Sequence, residues 1–136
     1  MTDSRIIREY FTLDFVPSVL SHELSRIGIL LRELEVLPAA LKLRFIGAKF
    51  IGDVQDSRAA VSEVDQLLIG EAIKEIRQAV KRANESGEQD EFNSLLQVLL
   101  NANSGLCAVG PHPCLALGNP EEQLHALFEG LVLPLT

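Results

Sequence analysis

The chain of 136 residues contains only two cysteines, one tyrosine and no tryptophan. Two cysteines are too few for a disulfide scaffold, and no apolar run approaches the ~18–20 residues that a membrane-spanning helix needs. The first residues lack the basic and then apolar pattern of a signal peptide. Since 47% of the residues are hydrophobic, a sizeable core is available and a disordered chain is excluded. These features predict a single cytoplasmic domain over residues 1–136.

Basic residues are missing from the last part of the chain, because all twelve Lys and Arg residues lie at or before Arg82. Seven acidic residues follow Arg82, and their number equals the formal net charge of −7. This acidic segment repels phosphate backbones, so only the first two thirds of the chain could contact nucleic acid. An isoelectric point near 4.9 also argues against non-specific nucleic-acid binding.

Apolar residues between Pro17 and Pro38 recur every three or four positions, a spacing typical of one helix face. Two further apolar residues fall on the opposite side of this helix, so it is predicted to contact neighbours on two sides. Burial inside a helical bundle is the favoured explanation, and an oligomer seam is the alternative. The stripe consists of Leu20, Leu24, Ile27, Leu31 and Leu34, and the opposite pair is Ile29 and Val36.

Residues 41–54 fit two structures. Leu41, Leu43 and Phe45 alternate with basic residues, which favours a strand, and Gly47-Ala48 suits a two-residue hairpin turn. The same residues also place apolar positions on one helix face. Because an isolated hairpin is marginal in water and the flanking segments look helical, we predict a helix here, with the short hairpin as the alternative.

Caps and helix-ending residues predict the remaining helices. They are a short one up to about Leu13, one from Asp56-Ser57 to about Asn84 with Gly87 beyond its end, one over Phe92–Leu100 ending at Gly105, and one from Asn119 to Gly130. Gly70 is expected to mark a bend or a close helix crossing. Residues 106–118 are interrupted by Gly and Pro. The predicted fold is therefore an all-α, single-domain bundle of about five helices.

The only residues with metal-ligand side chains in one region are Cys107, His112, Cys114 and His125. Structural zinc sites usually bring ligands in close pairs such as C-x2-C, and no such pair occurs. No nucleophile motif surrounds either cysteine, and no glycine-rich phosphate loop is present. We therefore predict no cofactor and no enzyme activity, and the four residues remain a weak candidate for a metal- or thiol-dependent site.

A basic stripe lies within the long predicted helix. Lys74, Arg77 and Lys81 are spaced i, i+3 and i+7, and could meet phosphates or an acidic partner. An ordinary solvated helix flank is the favoured interpretation, since no aromatic residue interrupts the stripe and Glu85 lies four residues from Lys81.

The sequence as a whole predicts a small, acidic, leucine-rich module that binds protein, such as an adaptor, chaperone or assembly subunit. Its expected contact residues are the two-sided set at 17–37, and a second copy of the chain is one possible partner. The alternative is a small helical subunit of a nucleic-acid-binding complex that uses the basic stripe.

Overall fold

The computed structural model describes residues 5–16, 25–51, 63–103 and 105–132. Within these ranges the chain forms four strands and three helices, so the predicted all-α bundle of about five helices is wrong. The elements are β1 (Arg5–Val16), β2 (Ser25–Leu37), β3 (Ala40–Phe50), α1 (Glu63–Ser86), α2 (Asp90–Asn101), β4 (Gly105–Cys114) and α3 (Pro120–Leu131).

The four strands form one antiparallel sheet in the order β3-β2-β1-β4. Helices α1 and α2 contribute to a larger core on one face of the sheet, with strand residues such as Phe11, Leu30 and Phe50. Helix α3 covers the other face, where Leu124 and Phe128 pack with Ile29 and Leu31. The sheet is therefore covered by helices on both faces, in an α+β arrangement.

Burial on both faces explains why β2 resembles a helix in sequence. Ile29, Leu30 and Leu31 are consecutive and at most 1% exposed, because alternate residues enter opposite cores. The predicted helix stripe is thus divided: Ile27 and Leu34 lie in the core under α1 and α2, whereas Leu31 lies under α3.

Residues 40–50 form strand β3, so the prediction of a helix at 41–54 is wrong. The alternative prediction, a hairpin, correctly included a strand here but placed its turn at Gly47-Ala48. The turn lies at residues 38–39, since Leu37 pairs with Ala40. Gly47 lies within the strand. A Cβ there would be 2.8 Å from Phe45 Cζ and 2.9 Å from Leu124 Cδ2, so glycine allows α3 to approach β3 closely. Residues 52–54 lie outside the described residues.

Several helix ends are as predicted. Gly87 follows α1 with a φ of +77°, and its N–H donates to Ala83 O over 2.8 Å, which is a glycine-dependent helix end. Asn119 Oδ1 accepts the N–H of Glu122 at 2.8 Å, which confirms the predicted cap of α3. The predicted start at Asp56-Ser57 lies outside the described residues.

Other predictions about helices are wrong. The first described segment, residues 5–16, is strand β1, so no helix extends to Leu13. Most of the interrupted stretch at 106–118 belongs to strand β4, which begins at Gly105 after α2 has ended at Asn101. A Cβ at Gly70 would have nothing within 4 Å, so no close helix crossing occurs there.

Both outer strands carry features that oppose pairing with another chain. On β3, Asn84 of α1 donates its side-chain N–H to Ile46 O at 2.7 Å and accepts the N–H of Ile46 at 3.1 Å. On β4, Pro111 and Pro113 have no N–H to offer a further strand. Such devices at sheet edges prevent edge-to-edge association.

We expect Asn84→Leu to lower the free energy of unfolding by about 1–3 kcal/mol, because it leaves both backbone groups of Ile46 without their partner. Chemical denaturation measures this change. Gln78→Leu is the control, since residue 78 is an exposed position of the same helix. Equal stability changes in the two variants would contradict a role for Asn84 in closing the β3 edge.

Candidate functional site

The loop that joins β4 to α3, residues 115–118, is fixed by a buried arginine of β1. Arg8 Nη1 donates to Leu117 O at 3.3 Å and Nη2 donates to Gly118 O at 2.9 Å. The same guanidinium bonds Gln123 Oε1 at 2.6 Å and Glu33 Oε2 at 2.6 Å. One side chain from the sheet therefore holds the loop and the first turn of α3 together. We call residues 115–118 the anchored loop.

Gln123 of α3 completes this attachment from the other side. Its Nε2 donates to Leu115 O at 2.7 Å, and its Oε1 accepts the N–H of Leu117 at 3.3 Å. Gln123 is only 9% exposed, so these bonds lie in a region where water competes weakly. The backbone of the anchored loop is thus bonded at 115, 117 and 118 to buried side chains.

The charge of Arg8 is balanced at the centre of the network. Glu33 of β2 is 7% exposed and pairs with Arg8 and, at 3.4 Å, with the half-exposed Arg44 of β3. A buried ion pair of this kind is stable only when its further hydrogen-bonding groups are also satisfied. The loop carbonyls and Gln123 supply those partners for Arg8.

This network presents apolar side chains to solvent. Leu115 and Leu117 of the anchored loop are 78% and 66% exposed. Leu117 also borders a groove of about 550 Å³ along α3. The residues of this α3 groove are Tyr10, Leu117, Glu122, Gln123, Ala126, Leu127, Gly130 and Leu131.

The lining of the α3 groove contains one acidic residue and no basic residue. Glu122 lines it, and Glu121 and Glu129 lie on exposed positions of the same helix. None of the lining residues is basic, and the nearby Arg8 is already engaged with Glu33. Glu122 is therefore the one charged side chain among the lining residues of the groove.

The side of α3 toward β3 differs from the groove side. Lys49 of β3 contacts His125 Nδ1 and lies 5.4 Å from the centre of the Phe128 ring. His125 Nε2 lies 2.6 Å from Glu129 Oε1. Both ring nitrogens of His125 thus have partners within this cluster, and neither partner is a cysteine.

The structure does not bring together the four candidate metal ligands. Cys107 pairs with Asp14 and Cys114 with Arg8 in the β1–β4 ladder. Six positions along β1 separate these partners, which corresponds to about 20 Å. The two sulfurs therefore cannot share a metal ion or form a disulfide, so the residues of the weak candidate cluster at 107–125 do not converge on one site. The part of the chain that the structure describes holds no group of three or more metal-ligand side chains.

The two thiols are also poorly suited to nucleophilic chemistry. Burial raises the pKa of the Cys107 thiol, and the neighbouring Asp14 carboxylate raises it further. Burial likewise raises the pKa of Cys114, an effect that Arg8 opposes and Glu9 reinforces. Since the thiolate is the reactive form, both cysteines are less reactive at neutral pH than an exposed thiol. His112 stacks against Tyr10 instead, with ring centres 4.9 Å apart.

Asp14 of β1 is a buried carboxyl with an incomplete counter-charge. Burial raises its pKa, and Arg26 at 3.3 Å lowers it again only in part. Because the pKa is higher in the folded than in the unfolded chain, the folded state binds more protons in this range. The free energy of unfolding therefore falls as pH rises from the unfolded to the folded pKa of Asp14.

We expect Asp14→Asn to raise the free energy of unfolding at neutral pH, because the amide stays neutral where burial penalises a carboxylate. The gain should vanish below the usual carboxyl pKa of about 3.9, where Asp14 is protonated in both states. Urea denaturation at both pH values measures this. The exposed Glu75→Gln is the control and should show a smaller difference. A lower free energy of unfolding for Asp14→Asn at neutral pH would contradict the expectation that burial of the Asp14 carboxylate destabilises the folded state.

Most of the residues predicted to bind a partner are buried in strand β2 and do not lie on an exposed helix face. Ile27, Ile29, Leu31 and Leu34 are at most 4% exposed, so they form the core of the sheet and offer no helix face to a partner. Val36 is half-buried in β2. Leu20 and Leu24 lie outside the described residues. The apolar excess is explained by two cores, one on each side of the sheet.

The basic stripe lies on α1, as its spacing indicates. Lys74, Arg77 and Lys81 are all exposed, and Arg77 lies 5.4 Å from the centre of the Phe50 ring. Three acidic residues accompany the four basic ones within residues 67–86. The stripe is thus accessible but carries little net charge.

Sequence reasoning missed the residues that form the anchored loop. Arg8 and Gln123 show no special spacing in the sequence. Arg8 bonds backbone carbonyls more than a hundred positions away, and Gln123 bonds a backbone carbonyl several residues away. One signal was available: Leu115 and Leu117 are large apolar residues in an irregular segment, next to the capping Asn119. Apolar residues at such a place indicate either a small core or a contact surface.

The fold is an α+β domain with an antiparallel sheet between two helices on one face and a third on the other. In the described residues, no helix is long and apolar enough to cross a membrane. The chain belongs to the family described as Protein of unknown function (DUF3037), whose profile matches residues 10–132. This match extends from β1 past the end of α3. No curated protein and no solved structure matches the chain.

Proposed function

We propose that this protein is a non-enzymatic protein-binding module, and that its contact surface is the α3 groove with the anchored loop. The observation that carries this proposal is the exposure of Leu115 and Leu117 on a loop whose backbone carbonyls are hydrogen-bonded by the buried side chains of Arg8 and Gln123. Binding to a pre-ordered loop costs less conformational entropy than binding to a mobile one. Exposed leucines on such a loop are typical of a contact site.

The chemistry of the groove supports binding rather than catalysis. The groove has a volume of about 550 Å³ and is lined mainly by apolar side chains. Its polar side chains are Tyr10, Glu122 and Gln123, and Gln123 is occupied by the loop. This set supplies no nucleophile with an adjacent base. An adaptor or assembly subunit, acting in the cytoplasm, fits this surface.

Site-specific photo-cross-linking in the cells that produce the protein tests the proposal. A benzophenone amino acid replaces Leu117 in one variant and Leu68 in the other. Leu68 is the matched control because it is a leucine of similar exposure, 63% against 66%, on α1. We expect a discrete covalent product with a second protein from position 117 and none from position 68.

A substitution that fills the groove tests whether the cross-link depends on the groove. Gly130 lines the groove, and a Cβ there has nothing within 4 Å, so Gly130→Gln fills the groove without disturbing the fold. Gly70→Gln is its control, since Gly70 is a helical glycine with equally open surroundings. The product from position 117 should disappear with Gly130→Gln and persist with Gly70→Gln. A product that survives Gly130→Gln, or none at all, would overturn the proposal.

Nucleic-acid binding through Lys74, Arg77 and Lys81 remains the alternative function. It predicts an affinity that falls steeply with salt and with substitution of the three residues by alanine. The acidic residues of the same helix weaken the attraction for phosphates. A filter-binding measurement at low salt separates the two functions, and we expect no binding of duplex DNA or single-stranded RNA.

A further inference from the structure

We propose that the partner of the α3 groove is an amphipathic helix whose apolar stripe is flanked by basic residues. This inference rests on the proposed function and adds the shape and the charge of the partner. Its basis is the combination of small residues on α3, apolar groove walls, and one carboxylate, Glu122, with no basic residue among the groove lining.

The groove side of α3 permits another helix to approach closely. Ala126 and Gly130 both line the groove and are one helical turn apart. The space beside Gly130 is open, since a Cβ there meets nothing within 4 Å. Small residues at this spacing bring helix backbones together. The 12 residues of α3 span about 18 Å, which matches roughly three turns of a docked helix.

The walls of the groove suit apolar side chains at helical spacing. Leu117 lies on the anchored loop, Tyr10 lies on β1, and Leu127 and Leu131 follow one another by one turn on α3. A helix that places residues i, i+3 or i+4, and i+7 in such a groove buries one stripe and leaves its flanks in solvent. An added strand is a poorer occupant, because prolines occur in the β4 edge and Asn84 covers part of the β3 edge.

Charge determines what the flanks of the partner carry. Glu122 lines the groove and no lining residue is basic, whereas Glu129 of the same helix is already paired with His125. No Lys or Arg occurs after Arg82, so a basic flank on the partner meets Glu122 and no repelling cation on α3. A second copy of this chain docked through the same surface would bring two acidic grooves, each lined by Glu122, against each other, which costs free energy. A basic helix is therefore favoured over a homodimer.

Three designed 16-residue peptides test this inference with the full-length protein. All carry the same leucine stripe at i, i+4, i+7 and i+11, and their flanks are Lys, Glu or Gln. Isothermal titration calorimetry at moderate salt measures their dissociation constants. We expect the Lys peptide to bind at least about tenfold more tightly than the Glu peptide, a difference of about 1.4 kcal/mol. A Lys peptide with the leucines scrambled should not bind.

Variants of the protein locate the contact. Glu122→Lys should weaken the Lys peptide several-fold and strengthen the Glu peptide, whereas Glu75→Lys on the exposed face of α1 should change neither by as much. Gly130→Gln should weaken the Lys peptide at least about tenfold, and Gly70→Gln should not. Analytical ultracentrifugation of the free protein tests the competing occupant, and we expect a monomer.

The outcomes separate this inference from the proposed function. Equal affinities for the Lys and Glu peptides, or no Lys-peptide binding up to about 1 mM, would overturn the basic helix. The cross-link from position 117 would then still support protein binding at the groove. A dimer that Gly130→Gln dissociates would also overturn the inference, in favour of a second copy. Lys-peptide binding that is unaffected by Gly130→Gln would contradict both proposals.

Discussion

Arg8→Met is expected to lower the free energy of unfolding by about 3–5 kcal/mol, the usual effect of removing one partner from a buried ion pair. The substitution leaves Glu33 in the core with only the more distant, half-exposed Arg44 at 3.4 Å. It also leaves the carbonyls of Leu117 and Gly118 without their donor. Because whole domains are stable by only about 5–15 kcal/mol, this is a large share of the total.

An exposed ion pair provides the matched control for Arg8. Arg82 Nε lies 2.8 Å from Glu91 Oε1, and both side chains are about 60% exposed. Arg82→Met removes the same kind of side chain and should change stability by less than about 1 kcal/mol. Chemical denaturation of the two variants measures the difference. Similar losses in both would contradict the role assigned to the Arg8 network.

The same variant affects the proposed contact surface. When Arg8 no longer holds the anchored loop, Leu115 and Leu117 lose their fixed positions, so the Lys peptide should bind more weakly to Arg8→Met even where that variant is fully folded. Arg82→Met, which does not touch the anchored loop, should leave the affinity for the Lys peptide unchanged. Unchanged peptide affinity in folded Arg8→Met would show that the groove does not depend on the loop.

Gly28→Ala is expected to destabilise the sheet by about 1–3 kcal/mol, the usual cost of overpacking a core. A Cβ at Gly28 of β2 would lie 2.6 Å from Phe50 Cδ1 and 2.9 Å from the backbone oxygen of Lys49. The Phe50 ring could move only into a filled core, and the backbone of β3 is fixed by its pairing with β2. Thermal and chemical unfolding measure the loss.

The same substitution at Gly70 should have the opposite sign. Gly70 lies in α1 with open space around its Cβ position, so alanine gains helix propensity of up to about 1 kcal/mol without a collision. Opposite changes for one substitution would show that local space decides the result. A stabilising Gly28→Ala would contradict the close packing of β2 against β3.

The ends of the helices could be predicted from the sequence because they depend on neighbouring residues. Asn119 caps α3 and Gly87 follows α1, and in both cases the bonding groups lie within four residues of each other. The strands could not be predicted in the same way. Their pattern depends on what covers the sheet, and consecutive buried residues such as Ile29 and Leu30 reflect helices on both faces.

The strand bulges add to this difficulty. The β1–β2 register shifts at Leu13/Asp14, and the β2–β3 register shifts at Glu33/Leu34. The first shift leaves Ile27 of β2 unpaired and the second leaves Arg44 of β3 unpaired. An extra residue interrupts the period of two, so Ile27 and Leu30 enter the same core although they are three positions apart. Together with Leu31 in the other core, these spacings of three and four resemble a helix stripe.

The candidate site was predictable in its charge and not in its position. The absence of basic residues after Arg82 is visible in the sequence and accounts for the lack of Lys and Arg on α3. The anchored loop depends on bonds between β1 and residues more than a hundred positions away. Contacts over such distances in the chain leave no local pattern, so the exposed leucines could not be separated from core leucines.

The most direct test of the proposed surface is a backbone-amide NMR titration of the ¹⁵N-labelled protein with the Lys-flanked leucine peptide. We predict that the largest shift changes fall on the anchored loop, on the groove side of α3 around Ala126 and Gly130, and at Tyr10. Gly130→Gln should abolish them and Gly70→Gln should not. Shift changes centred on Lys74, Arg77 and Lys81, or spread evenly over the acidic surface, would contradict the α3 groove as the binding site.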